Sequence, residues 1–295
     1  FFGYILFVVF LGLYLSRKSG NETTQDYFLA SKSLPWWAIG GSLIASNISA
    51  EQFIGMSGSG YVVGLAIASY EWMAAITLIV VAKYFLPIFL KKGIYTMPQF
   101  LEERYDTRVK SGMAIFWVLL FVFVNITSVL YLGALAIHTI LGVNMFIGIL
   151  GLAIYAASFS IFGGLKAVVW TDVVQVVVLV FGGILTSYLV LQAVDGGVVS
   201  GLEKLWTQAP EKFDMILEKG HAEYKNLPGI SVLVGGMWIA NIYYWGNNQY
   251  IIQRALGAKS LKEAQKGTIF AAFMKIILPF IVVIPGIAAF VLGAD

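Results

Sequence analysis

The run Ser46-Asn47-Ile48-Ser49-Ala50-Glu51-Gln52 interrupts a stretch that is otherwise apolar from Trp36 to about Gly64. Five of these seven residues are polar, at mid-depth in a segment long enough to cross a bilayer. Polar groups left unpaired there are costly, so such a segment must be buried in protein or line a water-filled cavity. Breaking a helix at 46–50 frees backbone carbonyls that lose their i+4 partners. Oxygen ligands of this kind suit a hard monovalent cation such as Na⁺, and Ala45 and Ile48, three residues apart, can offer carbonyls to one point. A kinked helix whose carbonyls are satisfied by the Ser46 and Ser49 hydroxyls fits the same residues.

A second group of residues suits a polyol. Ile48, Gln52 and Met56 are spaced to share one helix face. Glu71 stands near the end of the next apolar stretch, as an intramembrane acid with a functional role or as an interfacial side chain facing water. Asn241, Tyr244, Trp245 and Asn248 fall at i, i+3, i+4 and i+7, a stripe of amides and rings. Amides offer the donors and acceptors that sugar hydroxyls need, and a ring can stack on the sugar's C–H face. Aromatic packing with amides bonded to neighbouring helices gives the same stripe. Lys275 lies too deep in the last stretch to snorkel and needs a partner, which Asn241 or a substrate hydroxyl can supply. Lys83 is near enough to an end to snorkel. Asp172 reads as the N-terminal carboxylate of a helix beginning there, favoured by the helix dipole, or as a residue on an ion path. Glu51, one position off the Gln52 face, reads as a structural partner. His138 and His221 lack companion ligands and make no metal site.

The elements that must position these groups are membrane helices. Hydrophobic residues make up 59% of the 295 and charged ones 12%, against about 25% charged in soluble domains. The mean hydropathy is +0.83. An all-α, polytopic, multi-pass membrane protein is expected, with spans at about 1–15, 36–64, 67–90, 112–139, 144–162, 172–194, 230–252 and 267–293. The absence of cysteine excludes disulfides and thiolate chemistry. With the N-terminus outside, the inner loops carry thirteen Lys and Arg, including Arg17, Lys18 and Arg254, against four in the outer segment 195–229. These charges are topology signals and do not point to nucleic acid. Residues 91–111 form a charged, partly helical loop. Residues 195–229 hold an amphipathic helix around Leu202–Leu217, interrupted at Pro210.

The second and seventh spans are both interrupted, and lying five apart they cross in opposite directions. Interrupted helices in corresponding positions of two inverted repeats mark the midplane site of a secondary transporter. The division expected is 1–35 as a peripheral helix and loop, 36–194 as a five-helix repeat, 195–229 as a loop helix, and 230–295 as the start of a second repeat. Three helices of that repeat would then lie beyond residue 295, so a piece of a longer transporter is expected. A membrane enzyme acting on a lipid-linked sugar would need convergent carboxylates, and Glu51, Glu71 and Asp172 are too scattered to assign. A sugar sensor on a transporter scaffold is the other rival.

Three motifs then become specific. The segment DYFLASKSLPWWAIGGSLIASNISAEQFIG (26–55), GGLKAVVWTDVVQ (163–175) and NNQYIIQRALGAKSLKEAQKG (247–267) resemble, in order and spacing, signatures of the sodium:solute symporter family. Ala50-Glu51-Gln52, Glu71 and the Asn241–Trp245 segment are most similar to its sugar branch. The resemblance implies the leucine-transporter type of fold and Na⁺-coupled uptake of a hexose such as galactose or glucose across the plasma (inner) membrane. It implies that Gln52, Glu71, Asn241 and Lys275 hydrogen-bond the sugar, and that Tyr244 stacks on it and, with Trp245, closes the inner side. It implies that Met56 and Tyr70 help close the outer side. The carbonyls of Ala45 and Ile48 would give half of the Na⁺ site, with Asp172 as a relay for the passing ion. Ala74 departs from the pattern, where a small polar residue is expected. Inositol, proline and pantothenate are the alternative solutes.

Overall fold

The structure is a computed structural model, described here for all residues except Phe1, 20–22, Ser49, Pro228 and 294–295. The side chains of Arg17, Lys18 and Glu51, like the Ser49 hydroxyl, lie outside the described residues, and with them the roles expected of them from sequence. The described residues form helices throughout, in chain order α1 (Phe2–Ser19), α2 (Thr24–Leu29), α3 (Trp36–Asn47), α4 (Ala50–Val62), α5 (Ser69–Val80), α6 (Leu86–Lys92), α7 (Met97–Arg104), α8 (Thr107–Leu120), α9 (Thr127–Leu141), α10 (Met145–Asp195), α11 (Val198–Gln208), α12 (Ile230–Val234), α13 (Met237–Ile242), α14 (Gln249–Leu256) and α15 (Leu261–Val291).

Among the described residues, four continuous helical segments are long and apolar enough to cross a bilayer: Leu65–Lys92, Thr107–Leu141, Gly163–Asp195 and Leu261–Val291. The stretch 36–64 is two shorter helices, α3 and α4, and 230–252 is likewise broken. The two spans expected at 144–162 and 172–194 are the arms of α10. Gly164 is its non-helical residue, with φ +56°. A Cβ there would strike the Tyr27 carbonyl at 2.6 Å, so the conformation and the space both call for glycine. The second arm therefore starts at the glycine, and Asp172 lies two turns inside it. A helix dipole acts within the first turn. The expectation that Asp172 opens a helix is corrected accordingly.

The loops follow the sequence closely. Thr96 caps α7, accepting the Gln99 N–H at 3.3 Å, and Asp106 caps α8, accepting the Val109 N–H at 2.8 Å. The amphipathic segment is helical to Gln208, short of Pro210, and buries Leu205 and Leu217. Lys212 follows in the same loop. Its ammonium donates to the Val62 carbonyl at the end of α4 at 2.7 Å and lies 4.1 Å from the Phe290 ring centroid. Burial pushes this amine below its ordinary range, while Glu211 and Glu223 act in the opposite direction.

α15 is the packing centre, in contact with α3, α4, α5 and α10. α3 and α15 start side by side. The Leu34 N–H donates to the Gly257 carbonyl at 3.1 Å, and the Lys259 N–H to the Leu34 carbonyl at 3.2 Å. Ser260 caps α15, and Glu263, three residues on, has the spacing of a capping box. Its carboxylate instead accepts the Trp36 N–H at 2.8 Å, satisfying an orphan donor at the start of α3. Further along, glycines let the backbones meet. A Cβ on Gly267 would sit 2.6 Å from the Trp36 carbonyl and 2.8 Å from Ile39 Cβ, and one on Gly286 would strike the Ser57 carbonyl.

Large apolar side chains on α8, α9 and the second arm of α10, among them Phe116, Tyr131, Phe181 and Leu185, are exposed. Soluble proteins rarely leave so continuous an apolar belt open, and a bilayer suits it.

In the full-length protein, Gly267→Leu should force α3 away from α15 at a cost of about 1–3 kcal/mol or more. The expected result is a clear fall in the melting temperature in detergent. Gly112→Ala, where nothing lies within 4 Å of the added Cβ, should leave it unchanged or raise it.

Candidate functional site

The site is built around a charge that cannot reach water. Lys275 lies fourteen residues into α15, roughly 20 Å along it, and is 0% exposed. Its ammonium donates to the Glu71 carboxylate and to the Asn47 side-chain oxygen. A third contact is with the Trp245 ring, whose centroid is 5.3 Å from the nitrogen. The partner expected from sequence, Asn241, is not among them: its amide donates to the Met237 carbonyl at 3.2 Å, back along its own helix. Asn241 is buried on α13, which packs against α5, so it lines the same region without joining the network.

Glu71 sits in the first turn of α5 and is buried. Gln52 on α4 donates to its other carboxylate oxygen at 2.9 Å. The Gln52 amide is also 3.6 Å from the Met56 sulfur, as the shared helix face requires. The interfacial, water-facing alternative for Glu71 is therefore excluded. Ala74, a turn later, is buried and adds no polar group.

Asn47 was not singled out by the sequence. It is the last residue of α3, and it is bonded twice: its oxygen takes Lys275, and its amide donates to the Tyr244 hydroxyl at 3.2 Å. The same hydroxyl lies 2.9 Å from that of Tyr250 on α14. The neighbouring Tyr243 hydroxyl accepts from the Trp117 indole at 2.9 Å. Tyr244 and Trp245 meet edge to face, with centroids 5.1 Å apart. Met56 belongs to an apolar cluster that includes Leu205 of the 195–229 segment, and Tyr70 packs against a cluster that includes Leu217 and Leu227.

Both interruptions read from the sequence are present. Ile48 leaves α3 with φ −91° and ψ 105°, and Asn248 precedes α14 with φ −74° and ψ 120°. The Ile48 N–H still reaches the Ile44 carbonyl at 2.8 Å, but among the described residues no backbone donor reaches the Ile48 carbonyl. The Ser46 hydroxyl is turned to the Ser42 carbonyl at 2.5 Å, so it does not cap the break. Residues 243–247 form a widened π turn, and the Asn241–Asn248 stripe ends there. Asn248 is buried with its side-chain oxygen unpaired.

Asp172 stands apart from this network. It is buried, accepts from Ser42 at 2.6 Å, and pairs with Arg254 at 3.2 Å. Arg254, counted among the loop charges on sequence grounds, is buried in this pair. His138, in the last turn of α9, bonds to the Val143 carbonyl, His221 accepts the Glu223 N–H within its own loop, and no metal-holding cluster of His, Cys, Asp or Glu is found among the described residues.

The sodium:solute symporter family profile matches residues 27–295. A sodium/glucose cotransporter of Vibrio parahaemolyticus is 60% identical over 99% of this chain and 54% of its own length. Sodium/glucose cotransporter 4 of Mus musculus is 33% identical over 99% of this chain and 44% of its own. The chain thus spans about half the length of these curated relatives. Among solved structures, a substrate-bound, outward-open Na⁺-coupled sialic acid symporter superposes with a TM-score of 0.87 at 27% identity, covering 98% of this chain and 60% of that one. The all-α fold is that of the leucine-transporter type.

Removing one partner from a buried ion pair strands the other charge, typically at about 3–5 kcal/mol. In the full-length protein, Glu71→Gln and Lys275→Met should each lower the melting temperature strongly. The double variant should recover much of the loss. If the double variant were no more stable than the worse single one, the pair would not be the dominant constraint here.

Proposed function

The chain belongs to the sodium:solute symporter family, and on that premise we propose that the whole protein carries out Na⁺-coupled symport of a hexose, such as galactose or glucose, by alternating access. The observation that carries this reading is the buried network of Asn47, Gln52, Glu71 and Lys275 beside the Tyr244 and Trp245 rings. It holds amide and charged groups of both polarities, which together can donate to and accept from hydroxyls, next to flat apolar faces. A hexose presents those two surfaces.

Gln52, Glu71, Asn241 and Lys275 bind the hydroxyls in this reading, and Tyr244 stacks on the ring. In this geometry Gln52, Glu71 and Lys275 bond to one another and Asn241 to its own helix, so a sugar would exchange those bonds for its own at little net cost. Tyr244 and Trp245 close one end of the site and Met56 and Tyr70 the other. The carbonyls of Ala45 and Ile48 supply part of the Na⁺ site, supported by the extended backbone at Ile48. Asp172 serves as a relay for the ion. Sodium favours the outward-open state in proportion to its better binding there, since a ligand shifts an equilibrium only by its differential affinity.

The arrangement in the membrane follows from the same reading. Residues 36–194 are one five-helix repeat, preceded by a peripheral segment at 1–35. The loop 195–229 leads into the opposite repeat from 230. The N-terminus faces outward in the plasma (inner) membrane, supported by the thirteen-to-four distribution of basic residues.

The test is Na⁺-dependent galactose uptake into proteoliposomes containing the full-length protein. Asn241→Ala and Glu71→Ala should each reduce uptake about ten- to hundredfold, the scale of a charged or buried hydrogen bond worth ~1.5–3 kcal/mol. Uptake unchanged in Asn241→Ala would refute the site assignment, and undiminished coupled transport by Tyr244→Ala would refute the gate. Competition by glucose, inositol, proline and pantothenate distinguishes the solutes. Equilibrium binding without tracer uptake would mark a sensor.

A further inference from the structure

A second buried charge cluster lies within two turns before the break in the polar helix, and the sugar site makes no use of it. One Asp172 oxygen accepts from the Ser42 hydroxyl at 2.6 Å and from the Arg254 guanidinium at 3.2 Å, with the Ser46 hydroxyl 3.5 Å away. Arg254 spans the cluster. Its Nε donates to the Ser42 hydroxyl at 2.9 Å, and its Nη1 to the Tyr250 carbonyl one turn back on α14. The two side chains of the ion pair are 9% and 12% exposed, so they lie largely out of water and salt screens them little.

The placement matters because Ser42 and Ser46 are on the same helix as Ala45 and stand just before Ile48. A carboxylate and two hydroxyls beside freed carbonyls would be a strong oxygen trap for Na⁺ if the carboxylate were uncompensated. It is compensated. The guanidinium already takes the carboxylate oxygen that both hydroxyls address, and its fixed fork holds Asp172 and Ser42 at once. The cluster as a whole carries no net charge.

Resting on the Na⁺-coupled reading, we propose that Arg254 is a built-in counter-ion that keeps the transported cation from lodging at Asp172. It competes for the same carboxylate oxygen, so the ion can pass the cluster without being held there. Arg254 is in this sense a positioning residue that sets how tightly the ion path binds Na⁺, and it touches neither sugar nor ion in its resting place.

The charge arithmetic gives opposite signs for opposite variants. In the full-length protein, the Na⁺ concentration giving half of the maximal Na⁺-dependent rise in melting temperature is measured without sugar, with choline chloride holding ionic strength constant. The Na⁺ dependence of uptake is measured in parallel. Arg254→Gln should lower the midpoint about tenfold, the scale of one neighbouring unit charge at short range, and slow uptake at saturating Na⁺. Asp172→Asn should raise the midpoint. The Asp172→Asn/Arg254→Gln double variant, with no stranded charge, should return to within about twofold of wild type. A midpoint that is unchanged or raised in Arg254→Gln overturns the inference. Should that variant fail to fold, a double variant left at the Asp172→Asn midpoint overturns it equally. A wild type indifferent to Na⁺ in both assays would instead remove the coupled reading on which the inference rests.

Discussion

An ammonium group buried halfway along an apolar helix must find an anion and further hydrogen-bond partners, or the helix will not settle where it is. That requirement at Lys275 organises the centre of this protein. Glu71 answers it from α5, Asn47 from the end of α3, and Trp245 from the π turn after α13. Gln52 then satisfies the second Glu71 oxygen from α4, and Tyr244 satisfies the Asn47 amide. Each partner comes from a different segment, so the polar network fixes their mutual placement in a way apolar packing alone does not.

The broken backbone is compatible with this network because its ends are occupied. Glu263 covers the first N–H of α3, and the Leu34–Ala258 bridge joins the chain just ahead of α3 to the chain just ahead of α15. The breaks at Ile48 and Asn248 lie where side chains, not continuing helix, hold the strands of the fold together. Asn47 precedes the first break and bonds to two neighbours; Arg254, one turn and a half past the second, bonds α14 to both α3 and α10. Helix interruptions are tolerated in a membrane where protein covers the freed groups.

How much of this the sequence carried depended on the range of the signal. Patterns within one helix were legible: the Gln52–Met56 face, the depth of Lys275, and the two interruptions. Fold class followed from composition, and the family from three short motifs. Contacts between helices were not legible. Asn47 was one letter in a polar run, and nothing within that run says which member turns toward α15. Arg254 looked like an ordinary loop charge because its partner is 82 residues away. Asp172 looked terminal because its helix begins at a glycine conformation that leaves little trace in an apolar stretch. The stripe from Asn241 failed at Asn248 because helical spacing assumes α geometry, and five residues there are wound more widely.

The glycine contacts on α15 have a mechanical consequence. α3 leans on α15 near Gly267, and α4 leans on the same helix near Gly286, on either side of the interruption at Ile48. The two halves of the interrupted span are therefore mounted on one rail. A hinge held at both ends against one continuous helix cannot swing open like a jaw. The freedom left to it is axial, as torsion or a slip of one half along the rail. Motion at this joint should redistribute which side chains face the polar centre, with little change in the distance between the two halves.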